Sequence, residues 1–215
     1  MKRRTHSRRT NGVTLPEVLT AILILSIVVG SVTAIYGAAM RSWYQGATLT
    51  YAQQKSSWAV NRMVPDLQQG ISVTAASSPY DTICIAVRLP NKTFVGGVGA
   101  HLNEVQTDAT GAPYLVEGNW AVYYRGDEYG GVSLQGDRIW RIETNSSGTV
   151  LKTQQLADNV VDNPDDGTGS PKPMFIYWPD IYHLRSVEVT VTVEEKRGSR
   201  LEQSTMNGQI TLRNN

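Results

Sequence analysis

Residues 12–41 read GVTLPEVLTAILILSIVVGSVTAIYGAAMR. Between Val18 and Met40 there are 23 residues without a charge, and only Thr20, Ser26, Ser31, Thr33 and Tyr36 are polar. A helix of that length spans about 35 Å, enough for a hydrocarbon core of about 30 Å. Arg41 ends the stretch. Lys2, Arg3, Arg4, Arg8 and Arg9 precede it, and the first twelve residues hold no acid. A basic cluster of this kind stays in the cytoplasm, which predicts that everything after the span lies outside.

A secretory signal peptide fits poorly. The apolar core is too long, and Gly37-Ala38-Ala39 is a weak cleavage site. An ordinary anchor fits the hydropathy but leaves Glu17 unexplained, because a carboxylate at the edge of lipid is costly and normally has a partner. Gly12-Val13 supplies one. If the chain is cut between them, Val13 presents a free α-amine four residues before Glu17 on one helix face. The helix dipole favours a carboxylate there. In a bundle of such helices Glu17 meets the amine of a neighbour. A slipped pair leaves a charge unmatched, so the burial acts as a register rule.

The run Arg8-Arg9-Thr10-Asn11-Gly12-Val13-Thr14-Leu15-Pro16-Glu17-Val18-Leu19 resembles the type IV prepilin cleavage and methylation motif. It has the basic leader, the glycine, a hydrophobic first mature residue, the glutamate fifth, and the apolar helix. Val13 stands where Phe or Met is commoner. The resemblance implies cleavage between Gly12 and Val13 by a prepilin peptidase that also methylates the Val13 amine. It implies assembly guided by Glu17, with other pilin or pseudopilin subunits as partners. The protein is then a single-pass inner-membrane precursor, its head periplasmic or extracellular, later built into a filament.

The expected organisation is a cleaved leader over 1–12, a long helix over 13–70 with its transmembrane part at about 15–40, and a β-rich head over 71–215. The helical reading continues past the span because Tyr44, Ala47, Tyr51, Val60, Met63, Val64 and Leu67 recur at helical spacing. Gly70 is the expected stop. Beyond it the period turns to two. Ile83, Ile85, Val87 and Leu89 alternate, as do Trp120, Val122 and Tyr124, with Arg125-Gly126-Asp127 as a turn. Residues 139–142 and 150–153 flank Asn145-Ser146-Ser147-Gly148 as a hairpin. Met174–Trp178 is a short strand. Val187, Val189, Val191 and Val193 mark a half-exposed strand, 196–200 a turn, and 201–212 an antiparallel return. Gly96–Pro113 and Asp158–Pro173 read as long loops. The fold class is α+β, a long helix packed on an antiparallel head, as in pilins. The head also resembles the J-type minor pseudopilins of type II secretion and the PilW group of minor pilins. That likeness rests on Arg62-Met63-Val64-Pro65-Asp66-Leu67, on Leu156-Ala157-Asp158-Asn159-Val160 before Phe175-Ile176-Tyr177, and on the carboxy-terminal hairpin.

Composition narrows the function. Without the five leader cations the chain keeps 15 basic against 19 acidic residues. That gives no basic footprint for nucleic acid. The single cysteine, Cys84, excludes an internal disulfide and reads as a small buried strand residue. His6, His101 and His183 are isolated, and no nucleophile motif or phosphate loop is present; Gly96-Gly97-Val98-Gly99 reads as a flexible loop. The chain is expected not to be an enzyme. Asp162, Asp165 and Asp166 are candidate oxygen ligands for calcium, but their spacing is not that of an EF-hand, and the stretch reads first as a solvated turn; no other cofactor is expected. Trp178-Pro179-Asp180-Ile181-Tyr182 is the expected contact patch. The reading is a structural subunit, in a tip or priming complex. The alternatives are a membrane-anchored binding module that captures substrate or DNA, and an anchored extracytoplasmic enzyme.

Overall fold

Side chains that alternate every second residue behind a long helical stretch must bury one face of each strand against that helix. The computed structural model describes residues 12–95, 100–165, 167, 169–180, 184–197 and 200–212. It resolves two compact units, Met1–Gly46 and Ala47–Asn215. One helix, α1, runs from Leu15 to Gln69.

In the first unit α1 is long and apolar enough to cross a membrane, and its apolar side chains are exposed. Its few hydroxyls are turned back on the helix. Ser26 Oγ donates to the Ile22 carbonyl at 2.8 Å, Ser31 Oγ to Val28 at 2.9 Å and Thr33 Oγ1 to Val29 at 2.8 Å. Thr20 Oγ1 donates to the Glu17 carbonyl at 3.0 Å. These groups need no water, so they do not oppose burial in lipid.

In the second unit α1 buries Thr48, Ala52, Ser56, Ala59, Val60, Met63 and Leu67, one stripe at helical spacing. Two antiparallel sheets receive it. The first has strand order β1-β2-β7-β8-β9, built from Ser72–Ala75, Cys84–Pro90, Glu117–Gly126, Arg138–Thr144 and Val150–Ala157. The second centres on β12 (Ser186–Arg197). β10 (Val160–Val161) and β11 (Phe175–Trp178) pair one edge of β12, and β13 (Arg200–Thr211) pairs the other. Two small hairpins, β3-β4 (Lys92–Val95, Ala100–Asn103) and β5-β6 (Val105–Thr107, Pro113–Leu115), lie between β2 and β7 in sequence. Helix residues Val60, Met63 and Leu67 share one core with Ile85, Val87, Ala121, Tyr123 and Ile139 of the first sheet, and with Phe175, Val187, Val189, Val191 and Ile210 of the second. The architecture is α+β and pilin-like, as the sequence predicts.

Several local expectations are corrected. On β7 the core face is Ala121 and Tyr123 rather than Trp120 and Val122, which are half-buried. Arg125 and Gly126 end that strand instead of forming a turn. The Arg125 guanidinium explains this. It reaches across to the Gly136 carbonyl, to Asp162 at 2.6 Å and to the Val160 carbonyl at 3.4 Å, which fixes the strand end. The stretch predicted as a loop over 96–113 contains β4, β5 and the first residue of β6; residues 96–99 lie outside the described set. The 196–200 turn is shorter than predicted, because Arg197 already pairs with Arg200. Cys84 is half-buried rather than buried, since Ile85 takes the core face. Gly70 ends α1 for a steric reason: a Cβ there would meet Val87 Cγ1 at 2.5 Å, so only glycine lets β2 pass.

Polar ties bind α1 to the sheets. Asp66 Oδ2 accepts from Tyr123 Oη at 2.5 Å and from Arg141 Nε and Nη2 at 3.0 and 2.8 Å. Lys55 pairs with Asp158 at 2.5 Å and with Glu195. Burial opposes the Lys55 charge, but Asp158 and Glu195 outweigh it and hold the ammonium above its ordinary pKa. Burial raises the phenols of Tyr123 and Tyr177 and pushes the Cys84 thiol up to about 11. In all four groups the folded pKa exceeds the unfolded one, so their stabilisation is complete below the unfolded values, about 8.5 for Cys and 10 for Tyr and Lys. It is lost as pH rises through the folded values. The thermal midpoint of the full chain in detergent is therefore expected to be level from pH 7 to about 8.5 and to fall steadily above it. A midpoint that stays flat to pH 10.5 contradicts this.

Candidate functional site

Gly12, Val13 and Thr14 lead into the first turn of α1. Pro16 sits within that turn, where its missing N–H is no loss. Glu17 folds back over it. Its Oε2 lies 3.4 Å from the Thr14 amide and 3.5 Å from Thr14 Oγ1. The Thr14 carbonyl accepts from the Glu17 and Val18 amides at 3.1 and 3.2 Å. This Thr-x-x-Glu arrangement is half of a capping box, and it holds the carboxylate at the positive end of the helix. The sequence carries that signal as Thr14-Leu15-Pro16-Glu17, a threonine followed three residues later by a glutamate just before the apolar run.

Val13 is 72% exposed and Leu15 76%, so none of the described residues covers the start of the helix. Gly12 has no heavy atom within 4 Å of where a Cβ would stand, and its φ is not in the left-handed region. Any residue would fit there. Among the described residues the fold gives no steric reason for glycine at position 12, as it gives none at Gly30 or Gly46.

A family model described as a prokaryotic N-terminal methylation motif matches residues 7–33. That match supports a type IV pilin-like prepilin. The matched segment holds Gly12, Val13, Glu17 and the first part of the apolar helix, and it ends well before the head. The motif implies processing by a prepilin peptidase and assembly with other pilins, and its family is generally structural. The apolar helix beside it is consistent with membrane anchoring. Searches of the curated proteins and of the solved structures return no match.

The other candidate residues are dispersed. Asp162 is held by Arg125 at 2.6 Å. Asp165 accepts from the Gly167 and Gly169 amides at 2.9 and 3.0 Å, as a turn residue does. Asp166 lies outside the described residues. Among the described residues no group of three or more His, Cys, Asp or Glu side chains is placed to hold a metal. His6, His183, Ile181 and Tyr182 also lie outside them. His101 contributes a β4 residue, and its side chain is not described. A cavity of about 210 Å³ is lined by Arg125, Asp162, Asn163, Lys172, Met174 and Thr190, among others. Its charged groups are paired, Asp162 with Arg125 and Lys172 with Glu188 at 2.6 Å. Of the expected contact patch, Trp178 is 53% exposed, and Pro179 and Asp180 are exposed beside it. The Asp66–Arg141–Tyr123 tie was not found from sequence, because its members are far apart in the chain.

Proposed function

We propose that this chain is the precursor of a minor pilin or pseudopilin, a structural subunit of a type IV pilus-like or type II secretion filament. Prepilin peptidase cuts between Gly12 and Val13 and methylates the Val13 amine. The apolar part of α1 holds the chain in the inner membrane, with residues 1–12 inside and the head outside. Glu17 then registers the helix against neighbouring subunits. The observation that carries this reading is the methylation-motif match over residues 7–33, which holds Gly12, Val13 and Glu17. The head, with its helix-borne Arg62–Leu67 segment and its long terminal hairpin, supports a place near the J-type pseudopilins and the PilW group, in a tip or priming complex. The acidic balance of the mature chain favours protein partners over nucleic acid.

Mass spectrometry of the chain from native membranes tests this. The chain is expected to lose residues 1–12 and to carry a methylated Val13 only where prepilin peptidase is present. Gly12→Ala leaves the fold untouched, since its Cβ meets nothing, yet it is expected to reduce processing to background. Retention of residues 1–12 in the wild-type protein with active peptidase refutes the proposal.

A further inference from the structure

The long β13 presents an open edge. Register against β12 is continuous over its full length, from Arg197↔Arg200 to Ser186↔Thr211. The hydrogen bonds fix which groups face outward. Thr190 and Glu194 of β12 donate to the Met174 and Asn159 carbonyls on the far side, at 2.8 and 2.9 Å, so Val187, Val189, Val191 and Val193 turn their backbones to β13. Their partners there are Ile210, Gly208, Met206 and Ser204. The amides and carbonyls of Gln203, Thr205, Asn207, Gln209 and Thr211 therefore point away from the sheet. Among the described residues no backbone group pairs with them. The same five side chains are exposed.

Free edges are normally blunted by brevity, charge, proline or bulges. Elsewhere in this protein they are. β1, β10 and β11 have four, two and four residues, and β11 runs into Pro179. β9 carries Lys152 and two register irregularities against β8. β13 alone among the named strands is long and unbroken at its edge, and it has no charge or proline from Gln203 to Leu212.

We infer that the β13 edge accepts an extended, charge-poor strand from a different subunit, extending the β12-centred sheet across the interface. This rests on the filament reading above. A second copy of this chain is the wrong occupant. Ser56 Oγ lies 3.3 Å from Ser204 Oγ, and Gly208 faces Val60 and Val64, so the head part of α1 runs along β13 in the same direction. Antiparallel pairing of two identical β13 edges sets those helix parts in opposite directions, whereas the subunits of one filament point their helices the same way. The uncharged outer row of β13 suits hydrogen-bonding side chains opposite Asn207 and Gln209; Gln203 already donates to Glu194 at 2.8 Å and Thr205 pairs with Thr192 at 2.9 Å.

Residue-resolved amide exchange on the full mature chain tests this, comparing protein purified alone in detergent with protein in isolated filaments or native membranes. Alone, the amides of Gln203, Thr205, Asn207 and Gln209 are expected to exchange at least about tenfold faster than those of Ser204, Met206 and Gly208; assembled, they slow to match. Asn207→Pro removes only an outward donor, which an edge strand tolerates. Its thermal midpoint and Val13 processing are expected to be unchanged while its recovery with the assembly drops. Three results overturn the inference: these amides staying fast in the assembly, being slow already in the isolated monomer, or slowing only when the purified chain self-associates. Failure of the filament reading shows separately, as an uncut amino terminus, and takes this inference with it.

Discussion

Asp66→Ala is expected to destabilise the head by about 3 kcal/mol, within the range seen when one partner of a buried ion pair is removed. The Arg141 side chain is only 3% exposed. Asp66 supplies its two best contacts, at 2.8 and 3.0 Å, and also the acceptor for Tyr123 Oη. Without Asp66 the guanidinium keeps Glu143 at 3.3 Å and loses the rest of its neutralisation. Tyr123 Oη still accepts from Arg141 Nε at 3.1 Å, but its O–H donor is left unmatched in the core. Spread over a head of this size, the loss lowers the thermal midpoint by about 6–12 °C. The pair ties α1 to β7 and β8, so the helix–sheet contact is where the loss falls. Asp66→Leu with Arg141→Met and Tyr123→Phe, which removes the phenol that would otherwise lose both partners, is expected to recover most of the deficit, because a buried polar cluster and an apolar replacement of similar volume differ little. A single variant within 1 kcal/mol of wild type, measured by denaturant unfolding of the full chain, contradicts this account.

Strong periodicity made part of this molecule legible. Val187 to Val193 alternate with polar residues at every step, and all four valines are buried as that pattern demands, but Thr190 and Thr192 between them are buried too, so the strand is not half-exposed as predicted. The uncharged run after Glu17 has one reading as structure, a long helix, and that is what forms. β7 was ambiguous because large apolar residues stand at both phases. Trp120 carries the Arg88 guanidinium 5.1 Å above its ring on the face away from the core, and Tyr124 takes the Gly130 amide at 2.8 Å. The small residue Ala121 marks the core face. Size alone pointed the other way. The 96–113 stretch reads as a loop in the sequence because its turn chemistry dominates. Asp108 Oδ1 gathers the Thr110 and Ala112 amides at 2.8 and 2.9 Å and so closes the β5-β6 hairpin. The Asp66–Arg141 tie joins residues 75 apart, which no local pattern encodes. The methylation motif was the most legible of all, because it is written over a few adjacent residues and asks little of the fold, and the family match over residues 7–33 covers the same run.

Glu17→Ala is expected to leave cleavage and methylation intact while lowering incorporation into the filament by up to about a hundredfold. In the isolated chain Glu17 does little: its carboxylate is exposed and its contacts with Thr14 are long, 3.4 and 3.5 Å. Losing such a cap costs at most about 1 kcal/mol of helix stability, so the membrane segment still forms. In an assembly the same carboxylate stands at the head of a long uncharged helix, among neighbours that are equally apolar. An unpaired charge costs about 2.5–3.5 kcal/mol at the centre of an apolar span and less toward its end, so this figure is the upper bound for Glu17. The pairing with a neighbour's methylated Val13 amine removes that penalty from both charges. Alanine removes one charge and leaves the amine of the neighbour unmatched, and the unmatched charge sets the hundredfold limit, since about 1.4 kcal/mol is a factor of ten. Glu17→Asp keeps the charge on a shorter arm and is expected to fall between. Quantifying each variant in sheared filaments against total membrane protein, with the processed amino terminus confirmed by mass, separates this from a cleavage defect. Normal incorporation of the alanine variant would mean that helix packing alone sets the register and that Glu17 serves only to cap its own helix.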